Sequence, residues 1–311
     1  MLTLTVNPTI DLNAQVEQVV AERKLRCRQP RREPGGGGIN VSRALQRLGG
    51  ESTALYLAGG PTGEMLRQLL GAEGVRQRVI PLEGWARENV IVFEERSGQQ
   101  YRFGMPGPEV REPEWRYCLA EVAASDPTPA YLVVSGSMVP GMPADFFAHL
   151  TRTAKELGAR LVVDTSGEAL RRAAEAGAYL LKPNLREFRA LVGSELTDER
   201  EQEAAGRRLI EQGACEVILL SLGAGGARLI TAAGSEHIRT PTVPIRSKVG
   251  AGDSSVAGMV LGLARGLEVR EAARFGVAAG AAAVMTEGTE LCRREDAERL
   301  YAHLRAEMAA R

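Results

Sequence analysis

Apolar runs of strand length recur along this chain, and most are separated by stretches whose apolar residues fall at helical spacing. Leu2 to Val6, Thr53 to Leu57, Tyr131 to Val134, Leu161 to Val163, Tyr179 to Leu181 and Val217 to Leu220 are the runs. The helical stretches are Ile39 to Leu48, closed by Gly49 and Gly50, then Glu114 to Val122, Asp145 to Leu157 and Glu199 to Gln212. A strand that is apolar on both faces needs cover on both, and strands joined through helices run parallel. The pattern predicts an α/β fold of three layers, α/β/α, around a mostly parallel central sheet.

Two segments depart from that pattern. Leu25 to Arg31, and the pair Asn89 to Glu95 and Gln99 to Phe103 around the Ser97-Gly98 turn, alternate polar and apolar residues. Half-exposed antiparallel strands read this way. We expect them to form a small sheet projecting as a lid, its strands drawn from about 12–34 and 86–106 and inserted in one domain spanning 1–311. After Gly252 the chain is nearly all helical, and its Ala- and Gly-rich stretch from Val256 to Met285 implies closely packed, buried helices.

Composition excludes several classes. A chain of 311 residues with 44% hydrophobic content can bury a large core. Lys plus Arg number 39 and Asp plus Glu also 39, so no global field draws in nucleic acid or an anionic membrane. Any anionic ligand must be held by a local cluster. Cys27, Cys118, Cys215 and Cys292 form no CxxC pair, which argues against a disulfide framework or thiolate zinc and for a reducing cytoplasm. The first thirty residues do not resemble a signal peptide, and no apolar stretch approaches the roughly 20 residues of a membrane span. There is no GxxxxGK[ST], no GxGxxG after a strand and no GxSxG, and His149, His237 and His303 lie too far apart to suggest histidine-based metal catalysis.

The sharpest motif is Ser247-Lys248-Val249-Gly250-Ala251-Gly252-Asp253-Ser254, leading into a helix expected over Ser255 to Ala264. Small residues let backbone N–H groups approach an anion, and the helix N-terminus adds its dipole. Phosphoryl transfer needs such charge neutralisation plus one carboxylate to accept the hydroxyl proton, a role open to Asp253. The plainer alternative is that Asp253 is a helix N-cap. Gly35-Gly36-Gly37-Gly38-Ile39-Asn40, followed by Val41-Ser42-Arg43-Ala44, permits close ligand approach at a helix start, or is a flexible loop. Lys182-Pro183-Asn184-Leu185-Arg186-Glu187 has the spacing of a capping box. Ser221-Leu222-Gly223-Ala224-Gly225-Gly226 reads alone as an ordinary glycine turn.

Together these blocks, in this order, resemble the ribokinase/PfkB family of carbohydrate kinases from Asp11 to Cys292. The resemblance implies a ribokinase-like fold, with ATP and Mg2+ as cofactors and K+ as a further expectation. It implies the GAGD signature at Gly250, Ala251, Gly252 and Asp253, with Asp253 as base. The glycine-rich block resembles the family's sugar-binding motif, and the Asn-x-x-Glu block its magnesium and nucleotide motif. Lys24-Leu25-Arg26-Cys27, Glu33-Pro34 with four glycines, and Gln100-Tyr101-Arg102-Phe103 before Met105-Pro106-Gly107 most resemble the branch that phosphorylates fructose 6-phosphate. Tagatose 6-phosphate and fructose 1-phosphate are alternative substrates, and a non-catalytic sugar-phosphate or nucleotide sensor is the alternative from another class.

Carried over by position, Asp11, Gly36, Asn40 and Ser137 would hold sugar hydroxyls, and Arg87 and Arg102 the existing phosphate. Paired guanidinium hydrogen bonds suit a phosphate that carries nearly two charges, although any single Arg is more often solvated surface. Lys24 would sit near the transferred phosphoryl group, and Lys182, Asn184, Glu187, Ser221, Gly223, Gly225, Gly226 and Lys248 near ATP. Glu187 would reach magnesium through water. Lys248 replaces the family's usual Thr. A monovalent cation would fall to Ser247, Val249, Ala283, Thr286 and Gly288, where Thr286 and Glu290 depart from the expected Asn and Arg. The open edges of the projecting sheet suggest a homodimer formed through it.

Overall fold

The computed structural model describes residues 1–309. Its elements follow the chain as β1 (Leu2–Thr5), β2 (Thr9–Val16), β3 (Arg28–Gly35), α1 (Gly37–Arg47), β4 (Thr53–Ala58), α2 (Gly60–Ala72) and β5 (Gln77–Pro81). Next come β6 (Arg87–Glu94), β7 (Gln100–Phe103), α3 (Glu112–Ala123), β8 (Tyr131–Ser135), α4 (Phe146–Leu157), β9 (Arg160–Asp164), α5 (Gly167–Ala176), β10 (Ala178–Leu181) and α6 (Leu185–Val192). The last third holds α7 (Glu199–Glu211), β11 (Cys215–Ser221), β12 (Ala227–Thr231), β13 (Gly234–Ile238), α8 (Ala251–Ala264), α9 (Val269–Val284) and α10 (Arg294–Ala309).

Nine strands form one sheet in the order β13-β12-β11-β10-β9-β8-β1-β4-β5. The run from β11 to β5 is parallel, and β12 and β13 extend it through antiparallel pairs. The pleat sends alternate residues to opposite layers. On β9, Val162 joins the core beneath α1, α8 and α9, whereas Leu161 and Val163 join the core beneath α4 and α5. This two-sided burial is why these strands are apolar throughout, and each fully buried Val or Leu contributes about 1.5–3 kcal/mol.

The Ala- and Gly-rich C-terminal third forms α8 and α9 as expected, pressed together with little between them. A methyl group on Gly258 would lie 2.8 Å from the Ala279 Cβ and 2.8 Å from the Phe275 carbonyl. The close pair packs against α1, placing the first turn of α8 beside the first turn of α1.

A separate four-stranded sheet has the order β3-β2-β6-β7. It differs from the expected one in two respects. Its first-mentioned strand is Arg28–Gly35, not Leu25 to Arg31, and β2 pairs with β6 in parallel, flanked by the antiparallel pairs β2–β3 and β6–β7. The sequence of β3, RQPRREPG, has almost no alternation; it takes its strand form from the ladder with β2 and from the docking of Gly35 under Asp11. No helix among the described residues is long and apolar enough to cross a membrane.

Candidate active site

The parallel strands and the two neighbouring helix starts bring the sequence motifs to one edge of the large sheet. Helix α8 begins at Ala251, four residues before the expected Ser255. Its N-cap is Gly250, with φ of 74°, a left-handed conformation that glycine adopts without penalty. Asp253 therefore occupies the third helical position and makes no capping hydrogen bond, so the N-cap alternative does not describe it. Its Oδ2 instead accepts a 2.9 Å hydrogen bond from Asn40 Nδ2, across from the first turn of α1.

Asp253 sits between opposing charges. Burial pushes its carboxyl up to about 6, and the nearby Asp164 carboxylate adds to that rise. The Asn40 hydrogen bond, the Lys182 ammonium and the Arg43 guanidinium pull the other way. Lys182, buried just after β10, lies 3.1 Å from Asp164 Oδ1 at the end of β9. Burial opposes its charge, yet Asp164, Asp253 and Glu187 together outweigh that and hold it above the usual lysine range. Its Nζ would stand 3.6 Å from a methyl group on Gly252, which places the ammonium against the first turn of α8.

The two motifs expected on the nucleotide side are adjacent. Asn184 and Glu187 form the reciprocal capping box of α6: Glu187 N donates to Asn184 Oδ1 and Asn184 N donates to Glu187 Oε2, each at 2.9 Å. Asn184 bridges to Ser221, whose N–H donates to the Pro183 carbonyl at 2.9 Å. This joins the Lys182–Glu187 segment to the Ser221–Gly226 turn. Gly223–Gly225 is a short 3-10 turn, and Gly226, at φ of 97°, passes so close to the Ile238 carbonyl that a side chain there would collide with it. Lys248 is exposed just before Gly250.

Of the residues expected to hold the sugar phosphate, Asp11, Arg87 and Arg102 lie on the paired strands of the small sheet. Asp11 accepts a 3.0 Å hydrogen bond from Asn89 Nδ2. Burial raises its pKa, opposed by Asn89 and by the cationic Arg87 and Arg102. Arg87 donates through Nη1 to the Met105 carbonyl at 3.1 Å and through Nη2 to the Asn7 carbonyl at 3.3 Å, while its buried Nε has no partner. Burial lowers the pKa of Arg87, so an anion beside it would be favoured. Arg102 is exposed on β7. The Ser137 hydroxyl accepts from Asn7 Nδ2 at 2.9 Å. Gly36 caps α1 at φ of 112°, and a methyl group there would lie 2.8 Å from Thr5 Cγ2.

Lys24 lies exposed in the β2–β3 connection, with no ion pair among the described residues. Around the predicted cation loop, Ser247 Oγ donates to the Gly288 carbonyl at 2.7 Å, Val249 N donates to Ser247 Oγ at 3.2 Å, and Thr286 Oγ1 donates to the Ala283 carbonyl at 2.7 Å. Hydrogen bonds thus tie Ser247 to Val249 and Gly288, and Thr286 to Ala283, with the Glu33 carboxylate close to Gly288. No group of three or more His, Cys, Asp or Glu side chains suited to a metal occurs among the described residues. A magnesium ion held by phosphate oxygens and water would find the Glu187 carboxylate in the first turn of α6.

Asp164, Asn89, Asn7 and Arg43 escaped the sequence reading as site residues. Asp164 carried a usable signal, since it is the acidic residue that ends an apolar parallel strand, where ligands of open α/β sheets bind.

A helix N-terminus with a carboxylate in its first turn, at the end of a parallel sheet covered on both faces, is an arrangement suited to a phosphotransferase. Residues 4–296 match the pfkB family of carbohydrate kinases, and the chain belongs to that family. It is 44% identical over 301 residues to the ATP-dependent 6-phosphofructokinase isozyme 2 of Mycobacterium tuberculosis H37Rv, covering 97% of this chain and 88% of that protein. The crystal structure of Escherichia coli phosphofructokinase-2 in complex with potassium superposes with a TM-score of 0.94 at 41% identity, over 98% of this chain and 99% of that one. The same enzyme in complex with fructose-6-phosphate gives 0.92 at 40% identity, over 98% and 99% of the two chains.

Proposed function

We propose that this kinase transfers the γ-phosphoryl group of ATP to the 1-hydroxyl of fructose 6-phosphate, giving fructose 1,6-bisphosphate and ADP. The observation that carries the reading is Asp253, placed in the first turn of α8, bonded to Asn40 and flanked by Lys182. The sugar oxygen attacks the γ-phosphorus, the bond to the β-phosphate oxygen breaks, and Asp253 takes the hydroxyl proton. The N–H groups of Gly250, Ala251 and Gly252 face the developing charge. Asp11, Gly36, Asn40 and Ser137 orient the sugar, and Arg87 and Arg102 hold its 6-phosphate.

Lys182, Asn184, Glu187, Ser221, Gly223, Gly225, Gly226 and Lys248 line the nucleotide side, and Lys24 is brought to the phosphoryl group from the β2–β3 loop. Magnesium, when bound, neutralises phosphate charge, with Glu187 ordering its waters. Ser247, Val249, Ala283, Thr286 and Gly288 offer oxygens to a monovalent cation, consistent with the potassium complex of the E. coli relative. The four-stranded sheet acts as the lid of one catalytic unit spanning 1–311, working in the cytoplasm, and pairs with a second copy in a homodimer. Light scattering that gives a monomer at every working concentration would refute the pairing.

A coupled assay of ADP release tests the reaction across fructose 6-phosphate, tagatose 6-phosphate and fructose 1-phosphate. The highest kcat/KM is expected with fructose 6-phosphate. A preference for either other sugar moves the assignment within the family, and absence of ADP with all three removes it.

A further inference from the structure

Arg43 is a buried cation whose surroundings bear directly on Asp253. It lies on α1 with only 3% of its surface exposed. One edge of its planar guanidinium is fixed by Glu73, just beyond α2: Nε donates to Oε2 and Nη2 to Oε1, both at 2.7 Å. That leaves Nη1 directed inward, where it donates to the Pro34 carbonyl at 3.1 Å and to Asn40 Oδ1 at 3.3 Å.

The amide of Asn40 has one accepting end and one donating end. With Oδ1 against the guanidinium, Nδ2 must face Asp253 Oδ2, to which it donates at 2.9 Å. A flipped amide would set an oxygen against the Asp253 carboxylate and an NH2 against Arg43, two repulsive contacts in place of two hydrogen bonds. We infer that Arg43 is a positioning residue, which fixes the Asn40 amide so that its donor end holds the Asp253 carboxylate in place for reaction. Glu73 anchors the far side of this relay, tying α2 through α1 to the first turn of α8. The charged groups bearing on Asp253 are Arg43 from α1, Asp164 from the end of β9 and Lys182 from the end of β10.

This inference rests on the kinase reading of Asp253. The test is ADP formation by Arg43→Met and Arg43→Lys across pH 5–8, with thermal unfolding recorded for each variant. In Arg43→Met, kcat is expected to fall about tenfold or more while KM for ATP stays within about twofold. The acid limb of kcat/KM should move to higher pH, because a freed amide and a lost cation both weaken the ionised form of Asp253. Arg43→Lys keeps the charge but lacks the fork, so it should shift the limb the same way by less, and it carries the test if Arg43→Met does not fold. A limb in Arg43→Lys and any folded Arg43→Met that superimposes on the wild type, with rates reduced only by the unfolded fraction, would show that Arg43 merely ties α1 to α2 and would overturn the inference. Wild-type protein forming no ADP with any hexose phosphate ends both readings together, whereas an active wild type with unshifted variants ends this one alone.

Discussion

Replacing Asp253 by Asn is expected to stop turnover and to stabilise the protein, two opposite effects with one cause. Burial and Asp164 lift the Asp253 carboxyl from 3.8 to about 6. A rise of roughly two units corresponds to a cost of about 3 kcal/mol for holding the group ionised in the folded chain. The side chain is partly exposed at the cleft, so water screens part of that cost, and a gain of about 1–2 kcal/mol is expected on neutralising it. Because the folded-state pKa is raised, the folded protein holds this proton more tightly than the unfolded chain. The wild type is therefore penalised fully above pH of about 6 and less and less as pH falls towards 3.8. Asn keeps the shape and an acceptor for Asn40 without the charge, and the remaining carboxylates cancel in the comparison. Thermal melts at pH 8 should place Asp253→Asn about 2–8 °C above the wild type, at roughly 2–4 °C per kcal/mol. At pH 4.5 that gap should shrink. Loss of the proton acceptor should lower kcat by about 10² or more. A variant that melts at or below the wild type at pH 8, or a gap that does not narrow in acid, would refute the charge argument; undiminished turnover would remove the base assignment.

Other consequences follow from the same geometry. Wild-type kcat/KM should fall about tenfold per pH unit below pH of about 6, since only the ionised Asp253 accepts a proton; Lys182→Met should move that limb upward, and an unmoved limb would separate Lys182 from the base. Arg87→Ala and Arg102→Ala should each raise KM for the sugar phosphate about tenfold with a smaller effect on KM for ATP, and equal effects on both would contradict a phosphate clamp.

The strands of the large sheet were legible where both faces are buried, and β6 and β7 where polar and apolar residues alternate on either side of the Ser97-Gly98 turn. Leu161, Val162 and Val163 read as a strand because each has a core to enter. β2 and β13 did not, because TIDLNAQV and GSEHI interrupt their apolar residues with polar ones, which in β2 are buried at Thr9 and Asp11. The parallel pairing of β2 with β6 depends on contacts between distant segments, which no local pattern records. At the site, the glycines were legible because close backbone approach leaves few other choices. Asn7 and Asn89 were not, because their partners Ser137 and Asp11 are distant in sequence and meet them only in the fold, whereas Asp164 was overlooked although it ends an apolar strand.

The placement of Asp253 also explains why one carboxylate needs so many charged neighbours. Desolvation alone would raise its pKa and keep it protonated near neutrality, unable to accept a proton. Lys182 alone would keep it ionised but make it a weak base. The structure sets Asp164 and burial against Lys182, Asn40 and Arg43, and the outcome is a carboxyl near 6. That value leaves the group ionised at neutral pH while retaining the highest proton affinity compatible with being ionised there, the condition for a general base. Since Asp164 also pairs with Lys182, the two strand ends at β9 and β10 tune the base jointly: the same carboxylate that repels Asp253 fixes the ammonium that stabilises it. The proposed role of Asp253 thus rests on the alternation of charge from Asp164 to Lys182 to Asp253, and the parallel order of the strands, which aligns the carboxyl ends of β9 and β10, brings the first two together.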